Sequence, residues 1–186
     1  MTQPSLAERV RLLDEALANI PHAFGGALAL AYYAEPRATV DIDVNIFVPV
    51  SDYGRVASQL ATLGIPATTP EIVELVARDG QARVFWDDIP IDMFLSYDAF
   101  HDAAAAARRT VPFSGRAIDI LSPEHLMVCK AVFNRPKDWI DMEAMLANDT
   151  VVDVAEVLRW VARIVGDEDP RFTRAVALLT HRQFRA

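Results

Sequence analysis

Two aspartates separated by one residue are the clearest candidates for chemistry in this sequence. Asp41 and Asp43 alternate with the apolar residues Val40, Ile42 and Val44. Because successive side chains of a strand point to opposite faces, the two carboxylates are predicted to project from one face. Like charges this close repel unless a cation lies between them, so the pattern favours a hard divalent ion such as Mg²⁺.

Two further features would complete such a site. Gly25 and Gly26 form a tight turn whose backbone N–H groups are suited to holding a phosphate. Asp92 lies within the apolar residues 89–95, where an unpaired carboxylate would be costly. Asp92 has two interpretations, a third metal ligand or an ion pair with an arginine such as Arg83 across a hairpin. An isolated D-x-D is more often the solvent face of an edge strand, but the glycine pair and Asp92 together favour a metal site.

Hydrophobic periodicity and capping residues predict the elements that carry these groups. Ser5 and Glu8 have the spacing of a capping box, Ser51 is expected to cap a helix that ends at Gly64, and Ser122 to cap another. The helices are predicted at about residues 6–19, 27–34, 52–63, 71–78, 97–109, 123–133, 137–146, 152–165 and 170–180. The strands are predicted at residues 22–24, 39–48, 82–86, 89–95, around 111, and 116–121. The segment 71–78 is ambiguous and favours a helix only slightly.

The order of these elements predicts an α+β fold. Strands and helices mix in residues 1–121, which are expected to form a head with a small mixed sheet flanked by helices. Residues 122–186 are predicted to form a helical C-terminal region that packs on the head. A chain of 186 residues is long enough to bury a substantial core.

Composition limits the partners. The formal net charge of -8 lacks the broad basic footprint of a dedicated nucleic-acid binder, so any polynucleotide contact would be local. Hydrophobic residues make up 52% and charged residues 24%, which is typical of a globular protein rather than a disordered one. The N-terminal residues do not resemble a secretory leader, and no apolar run approaches the length of a membrane span, so a cytoplasmic protein without a membrane partner is expected.

Several of these residues together resemble a known family. The glycine pair, the R-x-T-x-D-x-D pattern of residues 37–43 and the later strand bearing Asp92 resemble the nucleotidyltransferase fold of the polymerase-beta type. Within that superfamily the sequence is most similar to the AbiEii-like nucleotidyltransferases of bacterial toxin–antitoxin and phage-defence systems. The resemblance spans about residues 22–146 and includes a helical charged segment with Lys130, Arg135, Lys137, Asp138 and Asp141. Ala27 departs from the serine that many members carry after the glycines.

The resemblance implies a reaction and a set of site residues. An acceptor hydroxyl would attack the α-phosphate of a nucleoside triphosphate, with pyrophosphate leaving and Mg²⁺ as cofactor. Asp41, Asp43 and Asp92 would be the catalytic and metal-binding residues. The nucleotide-binding residues would be Gly25, Gly26, Arg37, Thr39, Lys130 and Asp138. Outside the family, the charged residues of the segment 130–141 would form an ordinary helix surface with i,i+3 and i,i+4 pairs.

The implied partners are a nucleoside triphosphate and an acceptor of one of three kinds. A toxin would modify tRNA or a protein and have a cognate antitoxin as partner, whereas an antibiotic-type enzyme would modify a small molecule. A third alternative is a protein of this fold that has lost turnover and acts as a binding partner. The sequence does not distinguish among them.

Overall fold

The computed structural model describes residues 3–180. Residues 1–2 and 181–186, the latter being the end of the predicted helical C-terminal region, lie outside the described residues. The strands are β1 (His22–Phe24), β2 (Ile42–Pro49), β3 (Gln81–Trp86), β4 (Ile89–Ser96), β5 (Arg109–Phe113) and β6 (Arg116–Ile120). The α-helices are α1 (Leu6–Ala16), α2 (Gly26–Leu30), α3 (Tyr53–Thr62), α4 (Pro70–Asp79), α5 (Ala99–Ala107), α6 (Pro123–Phe133), α7 (Pro136–Ala147), α8 (Val154–Val165) and α9 (Pro170–Thr180).

The chain divides into two compact units. The first contains the chain up to Leu28 and residues Ala38–Ile120, and the second contains Ala29–Arg37 and the chain from Leu121 onward. All six strands belong to the first unit, together with α1, α3, α4 and α5. The boundary at Leu28 falls within α2. The segment Ala29–Arg37, called below the N-terminal segment of the second unit, therefore belongs to that unit.

The first unit is built on one mixed six-stranded sheet with the order β3-β4-β2-β1-β6-β5. The pairs β2–β4 and β1–β6 are parallel, and the central pair β1–β2 and the two outer pairs β3–β4 and β5–β6 are antiparallel. The predicted α+β class with a small mixed sheet and a helical C-terminal region is confirmed. The predicted hairpin β3–β4 is present, and β5 and β6 form a second antiparallel pair.

The strands of this sheet have one buried face and one more open face. Ile42, Val44, Ile91 and Met93 are at most 2% exposed and form part of the core. In β4 the intervening residues are only partly buried, and in β3 they are exposed. Alternation along the strands therefore places Asp92 on the open face, since Ile91 and Met93 take the buried one.

Several predicted boundaries are wrong, among them the end of α1, which is at Ala16 instead of about residue 19. β2 begins at Ile42 instead of Thr39, because the segment before it turns: the Asp41 N–H donates to Thr39 Oγ1 at 3.3 Å. Helix α3 begins after a short 3-10 turn, and Ser51 lies within that turn instead of capping the helix. Helix α2 ends at Leu30, earlier than its apolar composition predicts, and continues as hydrogen-bonded turns.

The second unit consists mainly of helices around α6, which packs against α7, α8 and α9. The Ser122 side chain caps α6 as predicted, by accepting from the His125 N–H. Tyr33 fixes the N-terminal segment within this unit, because its hydroxyl donates to the Leu121 carbonyl at 2.8 Å and its carbonyl accepts from Asn148. Among residues 3–180, no helix combines the length and apolarity needed to cross a membrane.

Candidate functional site

Strand register places two of the predicted aspartates side by side. In the parallel pair β2–β4, Asp43 is the direct partner of Asp92. In the antiparallel pair β3–β4, Asp92 has Arg83 as its partner on the other side. Neighbouring strands lie about 4.7–4.9 Å apart, so side chains of directly opposite residues are close to each other. Asp43, Asp92 and Arg83 therefore form one row across three neighbouring strands.

Asp92 is held by an ion pair with Arg83. The guanidinium donates from Nε to Oδ1 and from Nη2 to Oδ2, both at 2.6 Å. The Asp92 side chain is 17% exposed and that of Arg83 51% exposed. The hydrogen bonding of the guanidinium to Asp92 is the main reason that the pKa of Arg83 is raised, and the charges of Asp41 and Asp43 add to it. The cross-hairpin pair is thus present, and the same guanidinium lies in the field of the other two carboxylates.

Asp41 precedes the strand and is held by Thr39. The Thr39 hydroxyl forms a short hydrogen bond with Asp41 Oδ1, and the Asp41 N–H donates back to Thr39 Oγ1. Thr39, placed among the nucleotide-binding residues by the resemblance, therefore orients the first aspartate in this structure. The prediction that Asp41 lies within the strand is wrong, since β2 begins one residue later.

The glycine pair lies against Asp43. The Gly25 N–H donates to the Asp43 carbonyl at 2.9 Å, so it fixes the turn to the strand. Gly26 has φ +52°, a left-handed conformation that favours glycine. A Cβ at Gly26 would lie 1.8 Å from Asp43 Oδ2. The absence of a side chain at this position is therefore what allows the Asp43 carboxylate to rest on the turn.

The donor set of this cluster suits a hard cation. Asp43 and Asp92 are direct neighbours on β2 and β4, Asp41 lies just before β2, and the Arg83 guanidinium shows that Asp92 accepts positive charge. Within residues 3–180, however, no three or more His, Cys, Asp or Glu side chains already stand in positions able to hold a metal ion. The residues fit Mg²⁺ in chemical kind, and their side chains would have to rearrange to hold it.

In the second unit, Asp141 organises two predicted cations. Its carboxylate accepts from Arg37 Nε and Nη2, both at 2.9 Å, and from Lys130 Nζ at 2.6 Å. The side chains of Asp141 and Lys130 are 4% and 5% exposed, whereas that of Arg37 is 36% exposed. Burial raises the pKa of Asp141, but the hydrogen bonds from Arg37 and Lys130 outweigh it and lower the pKa below its ordinary value.

Asp138 forms a second, smaller pair. Its carboxylate accepts from the Arg135 N–H at 3.0 Å and from Arg135 Nε at 2.8 Å. The Asp138 side chain is 1% exposed, so this pair fixes the start of α7. Asp141 thus engages Lys130, and Asp138 engages Arg135, within the charged segment of residues 130–141.

The first unit also contains a cavity of about 500 Å³. Asp14, His22, Arg108 and Asp119 are among its lining residues, which do not include the three predicted aspartates. His22 pairs with Ile46, three residues along β2 from Asp43, a separation of about 10 Å. The cavity is therefore distinct from the aspartate cluster.

Solved structures similar to this chain share its fold. The antibiotic-resistance factor ANT(2'')-Ia in solution is 17% identical over 97% of both chains, with a TM-score of 0.62. An antigenic nucleotidyltransferase-like protein from Paracoccidioides brasiliensis is 19% identical over 97% of this chain and 89% of that chain, with a TM-score of 0.56. ANT(2'')-Ia in complex with adenylyl-2''-tobramycin is 17% identical over 97% and 98%, with a TM-score of 0.53.

No family model matches the sequence, and no curated protein matches it. Because these structures are less than 25% identical to this chain in sequence, the similarities establish its fold alone. The chain has a nucleotidyltransferase fold, as its motifs indicate.

Proposed function

We propose that this protein transfers a nucleoside monophosphate from a nucleoside triphosphate to a hydroxyl acceptor. The observation that carries the proposal is the row in which Asp43 and Asp92 are direct neighbours, beside a glycine turn that leaves room for the Asp43 carboxylate. The nucleotidyltransferase fold supports it, since ANT(2'')-Ia has the same fold. The three carboxylates are the ligand type that Mg²⁺ prefers.

In this proposal the three aspartates divide the chemistry. Asp41, Asp43 and Asp92 would hold Mg²⁺, which when bound supplies neutralisation of the charge on the attacking and leaving oxygens. Asp92 would accept the proton of the acceptor hydroxyl while the hydroxyl oxygen forms a bond to the α-phosphorus. The bond from that phosphorus to the bridging oxygen breaks, and pyrophosphate leaves with the bond's electron pair.

The backbone after Gly25 would hold the triphosphate. The first N–H groups of a helix have no partner inside the helix, so those of Gly26 and Ala27 are suited to phosphate oxygens. Gly25 would support the turn through its hydrogen bond to Asp43, and Thr39 would orient Asp41. Ala27 supplies no hydroxyl, so phosphate binding at this turn would depend on the backbone.

The cations of the second unit would take different parts in nucleotide binding. Arg37 is more than one-third exposed, which favours it as the residue that reaches a phosphate or the acceptor. Lys130 and Asp138 are buried and paired, so we propose that Lys130 holds Arg37 through Asp141 and that Asp138 stabilises the start of α7 through Arg135.

For the acceptor, a cationic small molecule has the best support. ANT(2'')-Ia is an antibiotic-resistance factor with a structure containing adenylyl-2''-tobramycin, an adenylylated amino sugar. The net charge of -8 on this chain favours a cationic acceptor over a polyanion such as tRNA. Modification of tRNA or a protein, with a cognate antitoxin, is the alternative.

Transfer of a radiolabelled α-phosphate tests the proposal. Purified protein, each of four labelled triphosphates and Mg²⁺ would be incubated with an aminoglycoside panel, total tRNA or cell lysate. We expect label on an amino-sugar product and release of pyrophosphate, both lost in Asp43→Asn. Label on RNA or protein would replace the small-molecule acceptor with a macromolecular one. No transfer by folded protein with any acceptor would contradict the enzyme assignment.

A further inference from the structure

Arg83 lies within the acidic cluster instead of beside it. It is the cross-strand partner of Asp92, which is in turn the cross-strand partner of Asp43. Its two donors engage both carboxylate oxygens of Asp92 at 2.6 Å. Because a planar guanidinium matches a carboxylate in a bidentate pair, this contact is stronger than a single neutral hydrogen bond. Arg83 therefore places a positive charge within the acidic cluster and pairs directly with Asp92.

We infer that Arg83 is an internal counter-cation that occupies the acidic site in the metal-free protein and must leave Asp92 before that carboxylate can bind a divalent ion. The inference rests on the proposed function, because it concerns the same three aspartates. Both oxygens of Asp92 are engaged by the guanidinium. A divalent ion at Asp92 would also meet the positive charge of Arg83 at close range, so the two cations compete.

The position of Arg83 in the sheet allows it to leave. Strand β3 is the last strand at its end of the sheet, and the Arg83 side chain is 51% exposed. Its backbone stays paired with β4 whichever way the side chain points. The long side chain can therefore turn into water without breaking the sheet, and its charge is solvated when it does. Asp92, at 17% exposed, stays in place.

This arrangement makes a prediction that a purely structural ion pair does not make. A structural pair would hold Asp92 in the orientation that ligation needs, and removing Arg83 would weaken metal binding. A competing cation has the opposite effect, since its removal frees both carboxylate oxygens of Asp92 for the metal ion. The sign of the change in metal affinity therefore distinguishes the two roles.

The test measures Mn²⁺ binding to the full chain by electron paramagnetic resonance, without nucleotide. We expect Arg83→Gln to bind Mn²⁺ about fivefold more tightly than the natural protein, the change that corresponds to an ion pair worth roughly 1 kcal/mol. Arg83→Lys keeps the charge but loses the bidentate fork, so a smaller gain of about twofold is expected. Arg78→Gln is the matched control, because Arg78 forms an exposed bidentate pair with Asp79 on α4. The Mn²⁺ affinity of this variant should equal that of the natural protein.

The outcomes separate this inference from the proposed function. Binding that depends on Asp43 and is unchanged or weaker in both Arg83 variants overturns the counter-cation role while the metal site stands. Binding that appears only when Arg83 is replaced supports the role in its strongest form. If neither the natural protein nor the Arg83 variants bind Mn²⁺, the inference and the metal site both fail. Thermal unfolding of each variant confirms that the comparison is between folded proteins.

Discussion

Replacing Gly26 by alanine is predicted to disable the aspartate cluster through a single methyl group. The new Cβ would lie 1.8 Å from Asp43 Oδ2 and 2.5 Å from its Cγ, far inside van der Waals contact. The backbone at Gly26 has φ +52°, so an L residue is strained there as well. The carboxylate must therefore turn away from the glycine turn, or the turn must shift.

The expected magnitude follows from these two effects. The left-handed conformation costs a non-glycine residue about 1–2 kcal/mol. Forcing the Asp43 side chain off its preferred rotamer adds about 0.5–1.5 kcal/mol, since the clash is with the movable end of a side chain. We expect Gly26→Ala to lower the free energy of unfolding by roughly 1.5–3.5 kcal/mol. The loss of metal-dependent nucleotidyl transfer should be larger than this loss of stability accounts for, because the displaced carboxylate is a proposed metal ligand.

Two other glycines provide controls. Gly64 has φ +75° with nothing within 4 Å of a Cβ, so Gly64→Ala tests the backbone strain alone, at about 1–2 kcal/mol. Gly54 lies inside α3 with open space around a Cβ, so Gly54→Ala should stabilise the protein by about 0.4–1 kcal/mol. Urea unfolding and Mn²⁺ binding would be measured for all three. If Gly26→Ala matches Gly64→Ala in stability and binds Mn²⁺ normally, Asp43 does not rest on the glycine turn.

Three further predictions concern the charged residues. Asp141→Asn should destabilise the protein by about 3 kcal/mol in urea unfolding, because it leaves the buried Lys130 without its carboxylate. The double variant with Lys130→Met should lose clearly less stability than the sum of the two single variants, and strict additivity would refute the pairing. The pKa of Asp141 is lowered in the folded protein, so its stabilising contribution is present above the ordinary aspartate pKa of about 3.9 and is lost as pH falls through the lower folded value. The difference in stability between the natural protein and Asp141→Asn should therefore narrow below about pH 4. A difference that stays constant with pH would argue against this. The double variant Asp41→Asn, Asp43→Asn should show no Mg²⁺-dependent triphosphate binding in a calorimetric titration. Its stability should be unchanged or higher by up to about 1 kcal/mol, because repulsion with Asp92 falls. Normal triphosphate binding by this variant would show that the two aspartates are not metal ligands.

The sequence is enough to predict the elements around the site. Alternation identifies β3 and β4, and Ser5, Glu8 and Ser122 mark helix starts that the structure confirms. These signals are local, since a capping side chain and the backbone N–H it accepts from are three residues apart. Boundaries were missed where a side chain turned the backbone, as Thr39 does before β2.

The partners of the site residues depend on long-range packing. The pair of Arg37 with Asp141 joins residues 104 positions apart, and no local pattern predicts it. The hairpin register makes the pair of Arg83 with Asp92 a foreseeable alternative, but the inclusion of Asp43 in the same row needs the parallel pairing of β2 with β4. Sequence spacing identifies the carboxylates, whereas the sheet order determines which groups surround them.

The central claim is that Asp41, Asp43 and Asp92 together bind a divalent ion that engages a nucleoside triphosphate. A crystal structure with Mn²⁺ and a non-hydrolysable triphosphate, with the metal located by anomalous scattering, tests it most directly. We predict an anomalous peak at coordination distance from carboxylate oxygens of all three aspartates, with phosphate oxygens completing the shell and Arg83 turned away from Asp92. A peak elsewhere, or a bound nucleotide with Arg83 still paired to Asp92 and no metal between the carboxylates, would contradict the account.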